Sequence, residues 1–117
     1  EILMLNPESL FTKQRSLDLG YEEEHGRTTS QTVLRELRRD FAAPELKARV
    51  HIRYYDRLPS VAVHMAGETA IVSACFPHYT LGTQVIQLEI KGVNTLYGQF
   101  VMQEFEHLWN QAQPVEL

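Results

Sequence analysis

Residues 58–76, LPSVAVHMAGETAIVSACF, decide the fold. Two nearly unbroken arms of Val, Ala, Ile and Met flank Ala66-Gly67-Glu68, which has the composition of a tight turn. A short apolar run bounded by turn residues reads as a strand covered on both faces. The stretch therefore predicts a β-hairpin lying in the middle of a sheet.

The segment before the hairpin is of another kind. Residues 49–57, RVHIRYYDR, alternate. Val50, Ile52 and Tyr54 fall on one side, and His51, Arg53 and Tyr55 on the other. This predicts a strand with one polar face, ending at a bend because Pro59 lacks an amide donor. After the hairpin, residues 77–83 read as a loop with Gly82. Residues 84–90 alternate again as a strand. Lys91-Gly92-Val93-Asn94 is a turn, and residues 95–112 carry a helical stripe of Tyr97, Val101, Phe105, Leu108 and Ala112. Leu96, Phe100 and Trp109 widen that stripe, Asn94 or Thr95 is placed to cap it, and Pro114 is expected to end regular structure.

At the other end, residues 2–5 form an apolar run that predicts a buried strand. Asn6 and Pro7 have the residue types of a helix cap and first turn. Leu10, Phe11 and Leu17 give the helix after them an apolar side. Residues 21–26, YEEEHG, are polar and acidic. Thr28-Thr29-Ser30 offers a second cap, and Val33, Leu34, Leu37 and Phe41 form a core-facing stripe. A short helical turn is expected after Pro44. The order is β-α-α-β-β-β-β-α. A strand, a helical crossover and a second strand make a parallel pair. The expectation is one α/β domain over residues 1–117, with a single mixed sheet and helices packed on its faces.

Composition narrows the function. A net charge of −4 argues against general affinity for phosphate backbones, so nucleic acid is not an expected partner of this domain. No apolar run approaches the roughly 20 residues that span a bilayer. The single cysteine, Cys75, excludes an internal disulfide and fits a reducing, cytoplasmic setting. Because the sequence opens on a strand, it reads as a piece of a longer protein.

The chemistry-bearing residues are scattered. Glu22-x-x-His25 and Glu104-x-x-His107 share the spacing of di-iron carboxylate ligands, but such a site needs four long helices. No cofactor or metal is expected. Cys75 reads as a small buried hydrophobe, with His78 near it in sequence and no acid partner. Arg35, Arg38 and Arg39 are interleaved with Glu36 and Asp40, the pattern of a salt-bridged solvent face. His64 shares a strand face with Ala62 and reads as a hydrogen-bonded core residue. The polar face of residues 49–57 stands out: Arg53 and Arg57 have the chemistry to hold an anion. The competing reading is an edge strand whose charges oppose aggregation.

The hairpin, the strand after it and the last helix resemble one half of a phospholipase D-like domain. Ala66-Gly67-Glu68 is similar to the Asp-Gly turn of that superfamily's His-x-Lys-x-x-x-x-Asp motif. Val72-Ser73-Ala74-Cys75-Phe76 is similar to its Gly-Ser-x-Asn turn, and Phe105-Glu106-His107-Leu108-Trp109 to its helix ending in Phe-x-x-x-Trp. The resemblance puts Pro59, Val61 and Ala66 at the three motif positions, and none of them can attack phosphorus or bind phosphate. Residues 2–9, ILMLNPES, and 20–26, GYEEEHG, further resemble degenerate phospholipase D-like domains of unknown function found in bacterial regulators. Those domains often carry a basic residue near Gly20, where this chain has Asp18 and Leu19.

The resemblance implies no catalysis. It implies a regulatory or sensor module that binds a small ligand, anionic or nucleotide-like, or a partner protein or adjacent domain. The ligand site it implies lies at the carboxyl ends of the strands, walled by Asn6, Glu22, Glu23, Arg53, Tyr55, Arg57 and Ser73. Two alternatives remain at this level. One is a phosphodiesterase or nuclease completed by dimerisation, with His25, His51, His64 or His78 as nucleophile. The other is a structural homodimerisation domain using the aromatic surface of the last helix.

Overall fold

Alternation and apolar runs specify strands only up to the question of which edges meet. A computed structural model, which describes residues 1–59, 61–74, 87–92 and 94–117, answers it. The elements run β1 (Ile2–Leu5), α1 (Leu10–Asp18), α2 (His25–Asp40), α3 (Pro44–Lys47), β2 (Ile52–Tyr55), β3 (Val61–Ala66), β4 (Thr69–Ala74), β5 (Gln87–Lys91), α4 (Leu96–Gln111) and β6 (Gln113–Val115). This is a small α/β domain in the expected order, with α3 and β6 in addition. Cys75, His78, the loop at 77–83 and strand residues 84–86 lie outside the described residues.

The single mixed sheet is not what forms. The described strands make two three-stranded sheets, ordered β1-β2-β6 and β3-β4-β5. The cause is β6. The chain leaves α4 and lays Gln113, Pro114 and Val115 antiparallel against Tyr54, Arg53 and Ile52. With β1 parallel on its other side, β2 has no edge left for the hairpin. Pro114, expected to end regular structure, sits in an edge strand, where its missing donor costs no ladder bond.

The hairpin forms as expected but does not lie mid-sheet, because β3 is an edge strand of the described β3-β4-β5 sheet. Val61 to Ala66 pair in order with Ala74 to Thr69, closed by Gly67-Glu68. Gly67 takes φ 59°, which the first central position of this turn requires and a side chain disfavours. The hairpin is not covered on both faces, however. Ala70, Val72 and Ile90 are buried against Val101 of α4, with Val61 and Val63 packed beside them. The other face presents His64, Ile71 and Glu89 to solvent. Small residues on that face disguised a one-sided strand as a fully buried one, and His64 is exposed, not a core residue.

The two helices before β2 meet by close approach of small residues. A Cβ on Gly26 would lie 2.8 Å from Ser16 Oγ and 2.8 Å from Thr12 Cγ2. Thr12 and Ser16 are each only 3% exposed, while Leu10 and Leu17 are 79% and 55% exposed. The apolar side expected of α1 is thus its solvent side. The crossing also explains why α2 starts at His25 and not at Thr28-Thr29-Ser30. Glu24 supplies no side-chain cap, and Ser16 Oγ of α1 accepts from the Gly26 amide at 2.9 Å. A first-turn donor is satisfied by the neighbouring helix.

Asn6 likewise does not cap α1. Its Oδ1 accepts from the Glu8 amide at 3.0 Å, a local turn, and Ser9 becomes the cap by accepting from the Phe11 amide. Ser9 also donates to Asp56 at the end of β2, joining the helix start to the strand end. At the far end of the chain, Thr95 caps α4 as expected, accepting from the Gly98 amide at 3.1 Å.

Candidate ligand-binding groove

The seven residues named from sequence do not converge. Three lie near the carboxyl ends of β1 and β2. Asn6 donates its amide to the Tyr55 carbonyl at 2.8 Å, and Arg57 follows in the chain. Arg57 is engaged: it donates to Gln111 Oε1 of α4 at 2.7 Å, and Gln111 in turn contacts His107 at 3.2 Å. A polar cleft of about 270 Å³ lies here, lined by Tyr55, Asp56, Arg57, Leu108 and Gln111.

Arg53 is not at this end. It lies under α4, with its guanidinium 4.6 Å from the Trp109 ring centre and donating to the Trp109 carbonyl at 2.7 Å. A cation over an indole face, bonded to a carbonyl in the last turn of a helix, stabilises both ring and helix end. β2 is the middle strand of its sheet. Arg53 therefore neither waits for an anion nor guards an edge; it fixes α4 to the sheet.

Glu22 and Glu23 sit on the exposed junction between α1 and α2. Glu23 pairs with Lys13 at 2.7 Å, and the bond and charge of Glu23 push the Lys13 ammonium above its usual range. Nearby, Arg27 bridges Glu8 and Glu24, and His25 stacks on Tyr21 at 4.0 Å between ring centres. Ser73 is buried in β4, in the other sheet. Among the described residues no cluster of three His, Cys, Asp or Glu is placed to hold a metal ion. No helix there is long and apolar enough to cross a membrane.

A wide concavity lies between the two sheets. β1 and β3 border it from either side, and α4 supplies its third wall. One cleft of about 480 Å³ is lined by Ile2 and Leu3 of β1, residues 61–65 of β3, and Val101, Glu104, Phe105 and Leu108 of α4, with Tyr55 and Glu1. A second, of about 390 Å³, adds Met102, Glu106, Trp109 and Asn110. The two share Glu1, Val63, Met65 and Phe105, so they form one groove.

The groove wall is stiff on the helix side. Phe105 and Trp109, one turn apart, stack at 5.8 Å, and the Arg53 guanidinium lies over the indole. The lining is apolar, and its charges are carboxylates: Glu104 and Glu106 from α4, with Glu1. Among the described residues, His64 of β3 is the remaining titratable side chain besides Tyr55. No lysine or arginine lines it.

Sequence reasoning missed this site because its residues looked like core. Val101, Phe105 and Leu108 belong to the helical stripe that should cover a sheet, and Trp109 widens it. The width of that stripe was the available signal. One sheet of this size does not need Leu96, Phe100, Met102, Phe105, Leu108 and Trp109 together. Val61, which the phospholipase D-like register would place at the phosphate-binding lysine, lines the groove with an isopropyl group. Comparison with protein-family models, with curated proteins and with solved structures found no match to the chain.

Proposed function

We propose that this domain is a non-catalytic binding module of a larger regulatory protein, built on a degenerate phospholipase D-like frame, and that its site is the groove between β1, β3 and α4. It acts by favouring one state of the protein that contains it when the groove is filled. The observation that carries this reading is the groove's chemistry. It is a roomy apolar slot with a preorganised aromatic wall and acidic rims, and among the described residues it holds no nucleophile-and-lysine pair. The degenerate register supports the same conclusion, since Pro59, Val61 and Ala66 can neither attack phosphorus nor bind phosphate.

The ligand class follows from charge. Arg53 and Arg57, the cations best placed for an anionic or nucleotide-like ligand, are both bonded to α4. An apolar ligand with a neutral or cationic end suits the groove better. Thermal-shift measurements with apolar amines, neutral amphiphiles, nucleotides and phosphorylated metabolites test this. The first two classes are expected to raise the melting temperature, and Phe105→Ala is expected to abolish that rise. A rise with nucleotides alone would overturn the ligand class. Hydrolysis of bis(p-nitrophenyl) phosphate that disappears in His64→Ala would overturn the non-catalytic reading.

A second reading, homodimerisation, is favoured by one observation. Leu96, Tyr97 and Phe100 on the first turns of α4 are all exposed. Light scattering over a concentration series tests it; a monomer at every concentration sinks it.

A further inference from the structure

We infer that the natural occupant of the groove is an extended peptide segment of a partner protein, which adds as a strand to the free edge of β3 and carries lysine or arginine on its flanks. This rests on the binding-module reading and names its partner.

The argument begins with main-chain donors and acceptors. In a hairpin closed by a two-residue turn, the residues flanking the turn exchange both hydrogen bonds, and bonded pairs then alternate along the ladder. Ala66 faces Thr69, His64 faces Ile71 and Ala62 faces Ser73, so these pairs carry the β3–β4 bonds. Val61, Val63 and Met65 consequently turn their N–H and C=O groups to the opposite edge. Among the described residues β3 pairs with β4 alone.

The same holds across the groove. Ile2 donates to the His51 carbonyl and Asn6 to the Tyr55 carbonyl, each at 2.8 Å. Leu3, between them, therefore turns its peptide groups away from β2. Among the described residues, two unpaired strand edges border one apolar slot. A compact apolar molecule would cover the side chains and leave these main-chain groups without partners, which is costly once water is displaced. An extended peptide satisfies both needs: its backbone pairs with the edge, and its alternate side chains enter the slot.

The edge of β3 is the more apt of the two. It is six residues long, and Val63 and Met65 line both halves of the groove. It also lacks the devices that protect natural edges, since no lysine, proline or bulge interrupts Val61–Ala66. Charge then selects the partner. Glu104 and Glu106 stand on the rim with no lysine or arginine among the lining residues, so a peptide with basic flanks is steered in and an acidic one is repelled.

The test uses the whole 117-residue chain and fluorescent ten-residue peptides in which valine alternates with threonine. The flanks carry two lysines, two glutamates or two serines. Fluorescence anisotropy is expected to rank lysine above serine above glutamate, with about tenfold separating the extremes. N-methylation of alternate peptide amides on the pairing edge is expected to weaken binding by about tenfold or more without altering the protein. Met65→Pro, which removes a free-edge donor and leaves the β3–β4 ladder intact, is expected to do the same. Glu104→Lys with Glu106→Lys should invert the flank preference. Amide exchange should show Val63 and Met65 unprotected alone and protected with the lysine-flanked peptide.

Binding insensitive to N-methylation, or no peptide binding in a protein that still takes up apolar amines, would overturn the strand proposal and leave the binding-module reading standing. Amides of Leu3 and Val63 as protected without peptide as those of β4 would show that β1 and β3 pair with each other, and would overturn it as well. Loss of amine and peptide binding together would sink both.

Discussion

The two sheets are built on opposite rules. In β1-β2-β6 the middle strand alternates large apolar and polar residues, and α4 engages its polar face. Arg53 reaches α4 on one side, while Tyr54 on the other lies within electrostatic reach of Arg38 of α2 and of Glu8. In β3-β4-β5 the strands look apolar throughout, yet among the described residues one face packs against Val101 while the other exposes His64, Ile71 and Glu89. Apolar composition thus does not ensure burial: Ile71 of the second sheet is exposed, while Arg53 of the first is part-buried under α4. What decides is whether a polar side chain finds a partner on the element above it.

The largest effect should come from neighbours on opposite faces of β4. Val72 is 3% exposed and Ile71 40% exposed. Val72→Asp buries an unpaired carboxylate and is expected to cost about 4 kcal/mol, enough to unfold a domain of this size, whereas Ile71→Asp should cost no more than about 1 kcal/mol. Urea unfolding of the two variants measures the contrast. Equal losses would mean that the outer face is covered after all.

Next comes the polar device of the first sheet. Arg53→Met keeps the stem but removes the bond to the Trp109 carbonyl and the contact with its ring. The expected loss is about 2 kcal/mol, combining a charged hydrogen bond with a cation–π contact. Arg53→Lys should recover less than half, because an ammonium cannot stack and bond in the same geometry. A double-mutant cycle with Trp109→Leu should show coupling; strict additivity would mean that Arg53 and α4 are held independently.

These two residues show how far the sequence could be read. Element order, the hairpin and its turn, the parallel pairing implied by the helical crossover, and the Thr95 cap were all legible, because each depends on residues close in sequence or on period. Sheet partition was not. It turns on which strand edges meet across long stretches of chain, and β6, which takes the second edge of β2, is three residues including a proline with no periodic signal of their own. Arg53 was singled out correctly as unusual, but its partner lies 56 residues away on α4. The groove was illegible for a related reason: a residue lining a slot and a residue filling a core have the same side chain. The burial of Thr12 and Ser16 in place of Leu10 and Leu17 was hidden because large hydrophobes were read as the inward face. The small residues Ser9, Thr12 and Ser16, spaced three and four apart, were the better guide.

That close crossing gives a smaller effect with an unusual sign. Gly→Ala inside a helix ordinarily stabilises by about 0.5–1 kcal/mol. At Gly26 the new methyl would meet Ser16 Oγ, Thr12 Cγ2 and, at 3.3 Å, the Thr12 carbonyl. Gly26→Ala is therefore expected to destabilise by about 1–2 kcal/mol, as overpacking does. Thermal unfolding decides the sign, and a stabilised variant would show that α1 and α2 separate at no cost.

The smallest effect tests the covered face of β2 by pH. Burial raises the Tyr54 phenol above its ordinary 10.0, opposed by Arg38 and reinforced by Glu8. The folded protein then holds this proton more tightly than the unfolded chain. Stability is full below the ordinary value and falls as the pH climbs through it towards the folded value, because the unfolded chain gives up its proton first. Tyr54→Phe has no proton to lose, so its stability should be flatter above pH 10 than that of the parent protein, with the two profiles parallel below it. The difference should be modest, since the ring is only half-buried. Removing Arg38 should enlarge it in the parent, because the nearby cation is what favours the phenolate. If the profiles stay parallel throughout, Tyr54 titrates as it would in water, and the face of β2 opposite Arg53 is as open as the outer face of β4.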